Sequence, residues 1–253
     1  MGTPRAIALC RCFEGALEFQ AGHWAKAEAA LRESIRLYRQ IGAASGEALA
    51  CQRLGVLQTA RQQLEEGLAT LQEGLAAAEH AVMRAHCLTR IYAAIARNRL
   101  AASDLAAADH ALNLGLAMSE RHGNCATCDA LLLPAAVSVR VAQGDFAAAR
   151  AFCSQLDRAA ERYASQMWVA MALQSRAELA AAEDQDADAV MKYEEAAKAF
   201  SKAGNDYEAA CCLAFAAELR IKRGESGDTE QAQAALAQAQ QVMQGLGIAI
   251  PQP

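Results

Sequence analysis

Proline, aromatic side chains and surplus positive charge are all scarce in this 253-residue chain. Four prolines occur, and none lies between Arg5 and Leu133 or between Ala135 and Ile250. Aromatics make up only 5%, and a sheet-rich fold would need far more of them and of Val, Ile and Thr. β and α/β architectures are therefore excluded. Lys and Arg number 24 against 29 Asp and Glu, a formal balance of −5. Without a basic stripe, direct nucleic-acid binding is not expected. No apolar run reaches the ~18 residues of a membrane span, and the opening MGTPRAIALCRC carries no secretory signal. Nine cysteines, an odd number without an export signal, read as reduced thiols rather than a disulfide framework. The expectation is a soluble, cytoplasmic protein.

Motifs of conventional catalysis are missing too. The chain has no GxxxxGK[ST] phosphate loop, no HExxH, no GxSxG and no GxGxxG after a strand. GESGDT at 224–229 lacks the lysine and follows a helical segment, so it reads as a long turn. A non-catalytic role is the expectation.

Alanine is abundant instead, with 64 residues, about a quarter of the chain. It is the strongest helix former, and its distribution is periodic. A small residue recurs at Ala27, Gly67, Ala108, Ala149, Ala189 and Ala232, at separations of 40, 41, 41, 40 and 43. Four residues after each stands Leu31, Leu71, Leu112, Cys153, Tyr193 or Leu236; three further on stands Ser34, Gly74, Gly115, Leu156, Ala196 or Ala239. Five before each marker lies Gly22, Gln62, Ser103, Gly144, Asp184 or Gly227, a column of turn formers and polar residues. Fifteen after it, Gly42, Gly123, Gly204 and Gly247 stand ready to cap a helix, while Val82 and Ala164 depart from that rule.

Each unit thus reads as a helix, a tight turn and a second helix whose small residues admit a close neighbour. In the second helix of the first unit, Trp24, Ala27, Leu31, Ile35 and Leu37 are expected inside, with Lys26, Glu28, Arg32, Glu33 and Arg36 in water. One such hairpin cannot bury its apolar stripe alone, so neighbours must stack. The units run 5–44, 45–83, 84–124, 125–164, 165–204 and 205–247, read as one repeat domain over 5–247 with a 248–253 tail.

On these residues, together with Leu54-Gly55 and Gly15 in the first-helix glycine column, the chain resembles the tetratricopeptide (TPR) family. It differs from the common ~34-residue repeat in unit length and in lacking a closing proline. HEAT-type stacking fits the length as well. The longer unit, with endings such as RQIGA and SKAGND, is similar to the TPR-like arrays of large bacterial LuxR-type, ATP-dependent transcription regulators. That resemblance implies a right-handed all-α solenoid of about six helical hairpins. It further implies a protein-interaction or ligand-sensing role in signalling and transcription regulation, with a protein or peptide partner held in a concave groove of first helices. On that face the repeat count places Arg53, Arg90 and Arg97 toward one end and Glu178 and Glu218 toward the other. The Lys/Asn carboxylate clamp of chaperone-binding relatives is not recognisable.

One constellation carries possible chemistry of its own, His122-Gly-Asn-Cys125-Ala-Thr-Cys128. Thiols three apart at a helix start suit a tetrahedral soft-ligand ion such as zinc, and His122 adds a nitrogen. Cys87 and Cys128 are 41 apart, one repeat length, which offers Cys87 as a fourth ligand on the neighbouring first helix. His86 is its substitute, and Trp168, next in that column, could wall the site. The alternative uses of the cluster are thiol-based redox sensing, or a nucleophilic cysteine near His122. Cys10, Cys12, Cys51, Cys153, Cys211 and Cys212 read as small hydrophobes in an alanine-rich array, and His23, His80 and His110 as surface residues.

Overall fold

The structure is a computed structural model that describes residues 3–123 and 125–246. Among them are twelve helices and no strand. In chain order these are α1 (Pro4–Gln20), α2 (Trp24–Gln40), α3 (Ala44–Ala60), α4 (Leu64–Glu79), α5 (Arg84–Ala101) and α6 (Leu105–His122). They are followed by α7 (Ala126–Ala142), α8 (Phe146–Tyr163), α9 (Gln166–Ala182), α10 (Asp186–Lys202), α11 (Asp206–Arg223) and α12 (Asp228–Gly245). None of the described helices is long and apolar enough to cross a membrane. Gly247, expected to end the last helix, and the tail at 248–253 lie outside the described residues.

The hairpin turns follow from one backbone device. All six members of the turn column, Gly22, Gln62, Ser103, Gly144, Asp184 and Gly227, have positive φ, between 57° and 88°. At the first five, the next residue's N–H reaches back five residues at 2.8–3.0 Å, as in His23 to the Glu18 carbonyl and Asp104 to the Arg99 carbonyl. This is the Schellman closure of a helix C-terminus. The same bond closes α2 through Gly42 and α10 through Gly204, from Ala43 to Tyr38 and from Asn205 to Phe200, each at 3.0 Å. Ala164, which departs from the glycine rule in sequence, still adopts φ 48°. Val82 does not, because α4 stops earlier, at Glu79, and leaves Val82 exposed. Asp104 and Asp145 then cap the following helices by accepting from Ala107 N–H (3.1 Å) and Ala148 N–H (3.0 Å), each worth about 0.5–2 kcal/mol.

The small-residue columns are where helices meet. Ala27, Ala108, Ala149, Ala189 and Ala232 are wholly buried, as are Leu31, Leu71, Leu112 and Cys153 four residues on. In α2, Tyr38 is buried beside the expected Trp24, Ala27, Leu31 and Ile35, while Leu37 is half-buried. Gly55 shows why the first-helix column needs glycine: a Cβ there would stand 2.5 Å from Leu71 Cγ and 3.1 Å from the Gly67 carbonyl oxygen. Buried polar groups tie neighbours together. Ser34 Oγ donates to the Ala8 carbonyl at 2.8 Å, and Asn98 Nδ2 donates to Thr59 Oγ1 and the Leu64 carbonyl, both at 2.9 Å.

The chain divides into two compact units, with the break between Ala135 and Ala136 inside α7; Gln20–Gly22 groups with the second. In the first unit, α3 pairs with α4 and α5 with α6, while α2 packs on α3, α4 on α5 and α3 on α5. Its core joins Ala8 and Cys12 to Leu31, Tyr38, Leu54 and Leu57, and continues through Leu71, Cys87, Leu88 and Ile91. In the second unit, α8 packs on α9, α9 pairs with α10, α10 packs on α11 and α11 pairs with α12. Tyr193, Ala196, Phe200, Cys212 and Ala216 form its centre.

Candidate metal centre

The start of α7 and the start of α5 meet in the first unit. Cys125 sits immediately before α7, and its carbonyl accepts the N–H groups of Cys128 (2.8 Å) and Asp129 (2.9 Å). This first turn fixes both thiols on one side of the helix start. Pro134 lies further along, inside α7, where it lacks the N–H that would meet the Ala130 carbonyl.

Facing the thiols is His86, in the first turn of α5. Its Nδ1 lies 3.2 Å from Cys128 Sγ and 3.6 Å from Cys125 Sγ. Among the described residues, the His, Cys, Asp and Glu donor atoms that come within 4.8 Å of one another in a group of three are those of His86, Cys125 and Cys128. Ligands held about 2.0–2.3 Å from one shared ion stand roughly 3.5–3.8 Å apart. The His86–thiol spacing is therefore close to that of donors around a single ion.

The group differs from the set expected from the repeat spacing, with His86 beside the two thiols in place of Cys87 and His122. Cys87 does not join the group. It is fully buried in the core, with its Sγ 3.8 Å from the Ser45 carbonyl of α3, and burial pushes its thiol up to about 11. Successive helical residues point about 100° apart, so turning Cys87 toward α3 turns its neighbour His86 toward α7. His122 ends α6, is exposed, and lines the same cavity without entering the three-residue group. Trp168 stacks on Tyr163 in the second unit, ring centroids 5.4 Å apart. The cavity, about 430 Å³, is also lined by Met83 and Met118. Sequence reasoning missed both methionines, although Met118 and His122 are four apart and share one face of α6.

Burial dominates the electrostatics of the group and acts differently on its three members. Burial, then Arg90, push His86 below its ordinary value, which keeps the imidazole neutral as a metal ligand must be. Burial and the neighbouring Cys125 push the Cys128 thiol up to about 12, with Arg90 opposing. For Cys125 burial also acts upward, but hydrogen bonds from Thr127 and Cys128 outweigh it and its thiol falls below the usual range. The pair is thus asymmetric: half-buried Cys125 is the more acidic thiol and buried Cys128 the less acidic one.

Among the expected groove residues, Arg53 and Arg90 are engaged in holding the first unit together. Arg53 donates to the Cys12 carbonyl (3.2 Å) and lies near Cys12 Sγ (2.7 Å), and its guanidinium covers the Phe13 ring at 4.9 Å. Arg90 donates to the Thr127 carbonyl and to Gln52 Oε1 (3.3 Å), linking α5 to α7 and α3. Its Nε is buried without a hydrogen-bond partner. Arg97 is exposed on α5, in the first unit. In the second unit Glu218 is exposed on α11, and half-buried Glu178 accepts from Ser138 Oγ at 2.8 Å. Cys12, Cys51, Cys153 and Cys212 are buried as small hydrophobes, whereas Cys10 is exposed and Cys211 half-buried. His23, His80 and His110 lie on the surface.

No family model and no curated protein matches this sequence. Among solved structures, the crystal structure of BtubC (BKLC) from P. vanneervenii is similar, with a TM-score of 0.53 at 17% identity over 94% of this chain and 95% of that one. Likeness at that identity is one of fold, and the fold is a helical repeat.

Proposed function

We propose that this chain is a non-catalytic helical-repeat domain of a bacterial signalling or transcription regulator, recognising a protein or peptide partner in the cytoplasm. The observation that supports this reading is the repeated architecture: one two-helix unit used six times, with the chemistry-bearing arginines Arg53 and Arg90 engaged in packing. Stacked hairpins of this kind offer surfaces more than reaction centres. Recognition is placed on exposed positions, Arg97 and Glu218 among them, because their side chains reach solvent. The test is capture on the immobilised chain, compared with Arg97→Glu and Glu218→Lys variants of unchanged helicity. Retention of one partner by the wild type and its loss in either variant is the expected result. Equal retention by all three returns these residues to a solvated face.

A second reading has its own support in the His86–Cys125–Cys128 group, namely a thiophilic metal site, of the zinc type or another soft ion, that staples the start of α7 to α5. Elemental analysis of protein purified without chelator tests it, together with the melting temperature with and without chelator. Bound metal, and a chelator-induced drop absent from a Cys125→Ser, Cys128→Ser variant, are expected. Metal-free protein with rapid iodoacetamide reaction at Cys125 would favour thiol-based redox sensing instead.

A further inference from the structure

Building on the metal reading, we propose that the His86–Cys125–Cys128 site takes a monovalent soft cation of the copper(I) class in preference to zinc. Three features of the site support this. The first is the donor count. With Cys87 turned into the core, the group offers three close ligands, whereas structural zinc sites are closed by four. Copper(I), a d10 ion, accepts three-coordinate thiolate and imidazole environments.

The second is the lining. The cavity beside the group is lined by Met83, Met118 and His122. Thioethers together with thiolates select soft ions, copper(I) among them.

The third is charge. Arg90, four residues after His86 and on the same face of α5, is half-buried, and its two hydrogen-bond acceptors are a carbonyl and an amide oxygen, both neutral. It acts electrostatically on both thiols. Two thiolates with a monovalent ion carry a net −1, which Arg90 neutralises. Two thiolates with a divalent ion are neutral and give the half-buried guanidinium no compensating charge from the site.

Loading is a simple exchange. The two S–H bonds break and release two protons to solvent, two sulfur–copper bonds form, and His86 Nδ1 donates its lone pair. The copper enters and stays in the +1 state, so no oxidant or reductant is consumed.

The test uses the full chain, reduced and anaerobic, titrated with copper(I) supplied as its acetonitrile complex against bicinchoninate, and in parallel with zinc against a chromophoric zinc chelator. One copper(I) per chain should be retained, and lost in the Cys125→Ser, Cys128→Ser variant. A Met83→Leu, Met118→Leu variant, altering side chains at the cavity rim, should hold copper(I) about 10–100-fold more weakly with zinc affinity unchanged. Arg90→Gln should shift the copper-to-zinc preference toward zinc by about tenfold. Zinc retained when an equivalent of copper(I) is offered, or copper retention indifferent to both the methionine and arginine variants, overturns the monovalent assignment and leaves the Cys/His site standing. Failure of folded wild-type chain to retain either ion overturns the metal reading itself.

Discussion

Gly55 and Ala164 set opposite demands on a single methyl group. At Gly55 the added Cβ of alanine would overlap Leu71 Cγ and press on the Gly67 carbonyl, and Leu71 is fully buried and cannot retreat. Gly55→Ala should therefore lower stability by roughly 1–3 kcal/mol, read as a shifted denaturant midpoint. Ala164 holds φ 48°, a left-handed backbone that costs an L-residue about 1–2 kcal/mol. Part of that is returned as the lower unfolded-state entropy of alanine, so Ala164→Gly should raise stability by up to about 1 kcal/mol. An unchanged or lowered midpoint would show that the turn is held by something other than backbone preference. Glu28 adds a pH dependence. Burial acts to raise its carboxyl, but hydrogen bonds and charge from Arg32 and Arg61 outweigh it and hold it below its ordinary 4.5. A depressed folded-state value means the contribution is fully present above 4.5 and is lost as pH falls through the lower, folded value. The stability gap between wild type and Glu28→Gln should close on acidification, and because the pair is partly exposed the gap should not exceed about 1 kcal/mol.

At the scale of elements, the turns were legible because backbone chemistry is local. Six positions that share only a spacing share a left-handed φ, including Gln62, Ser103 and Asp184, which composition alone would not single out. The small-residue columns were legible for a related reason, since close approach of helices admits few side chains. What spacing could not supply was rotation about the helix axis. A 41-residue interval sets the level at which two first helices face each other, but a shift of one residue turns the side chain by about 100°. Hence the site pairs Cys128 with His86, not Cys87. Arg90 shows the same limit, as a count of helical turns does not reveal that its guanidinium curls back to Thr127 and Gln52. Reversing it would strand those carbonyl and amide acceptors and place a carboxylate among them. Arg90→Glu should therefore cost at least about 1.5–3 kcal/mol, against at most about 1 kcal/mol for exposed Arg97→Glu. Similar denaturation midpoints for the two variants would return Arg90 to the role of a surface charge.

For the whole molecule, the repeat arithmetic marks every hairpin but gives no sign of the division between Ala135 and Ala136, because that boundary falls inside a helix rather than in a turn. Each unit nevertheless has its own core, centred on Leu54, Leu57, Leu71 and Ile91 in the first and on Tyr193, Phe200 and Cys212 in the second. In a repeat array, stability is close to a sum of unit and nearest-neighbour terms, so damage at one interface should stay near it. Ala108 is fully buried in α6 within the first unit. Ala108→Leu inserts three carbons where helices meet and should destabilise by roughly 1–3 kcal/mol through overpacking. Amide hydrogen exchange should report the loss in α5 and α6, while protection in α9, α10 and α11 stays at its wild-type level. A uniform loss of protection along all twelve helices would mean that the chain opens as one cooperative body, and that the two cores do not act as separate sources of stability.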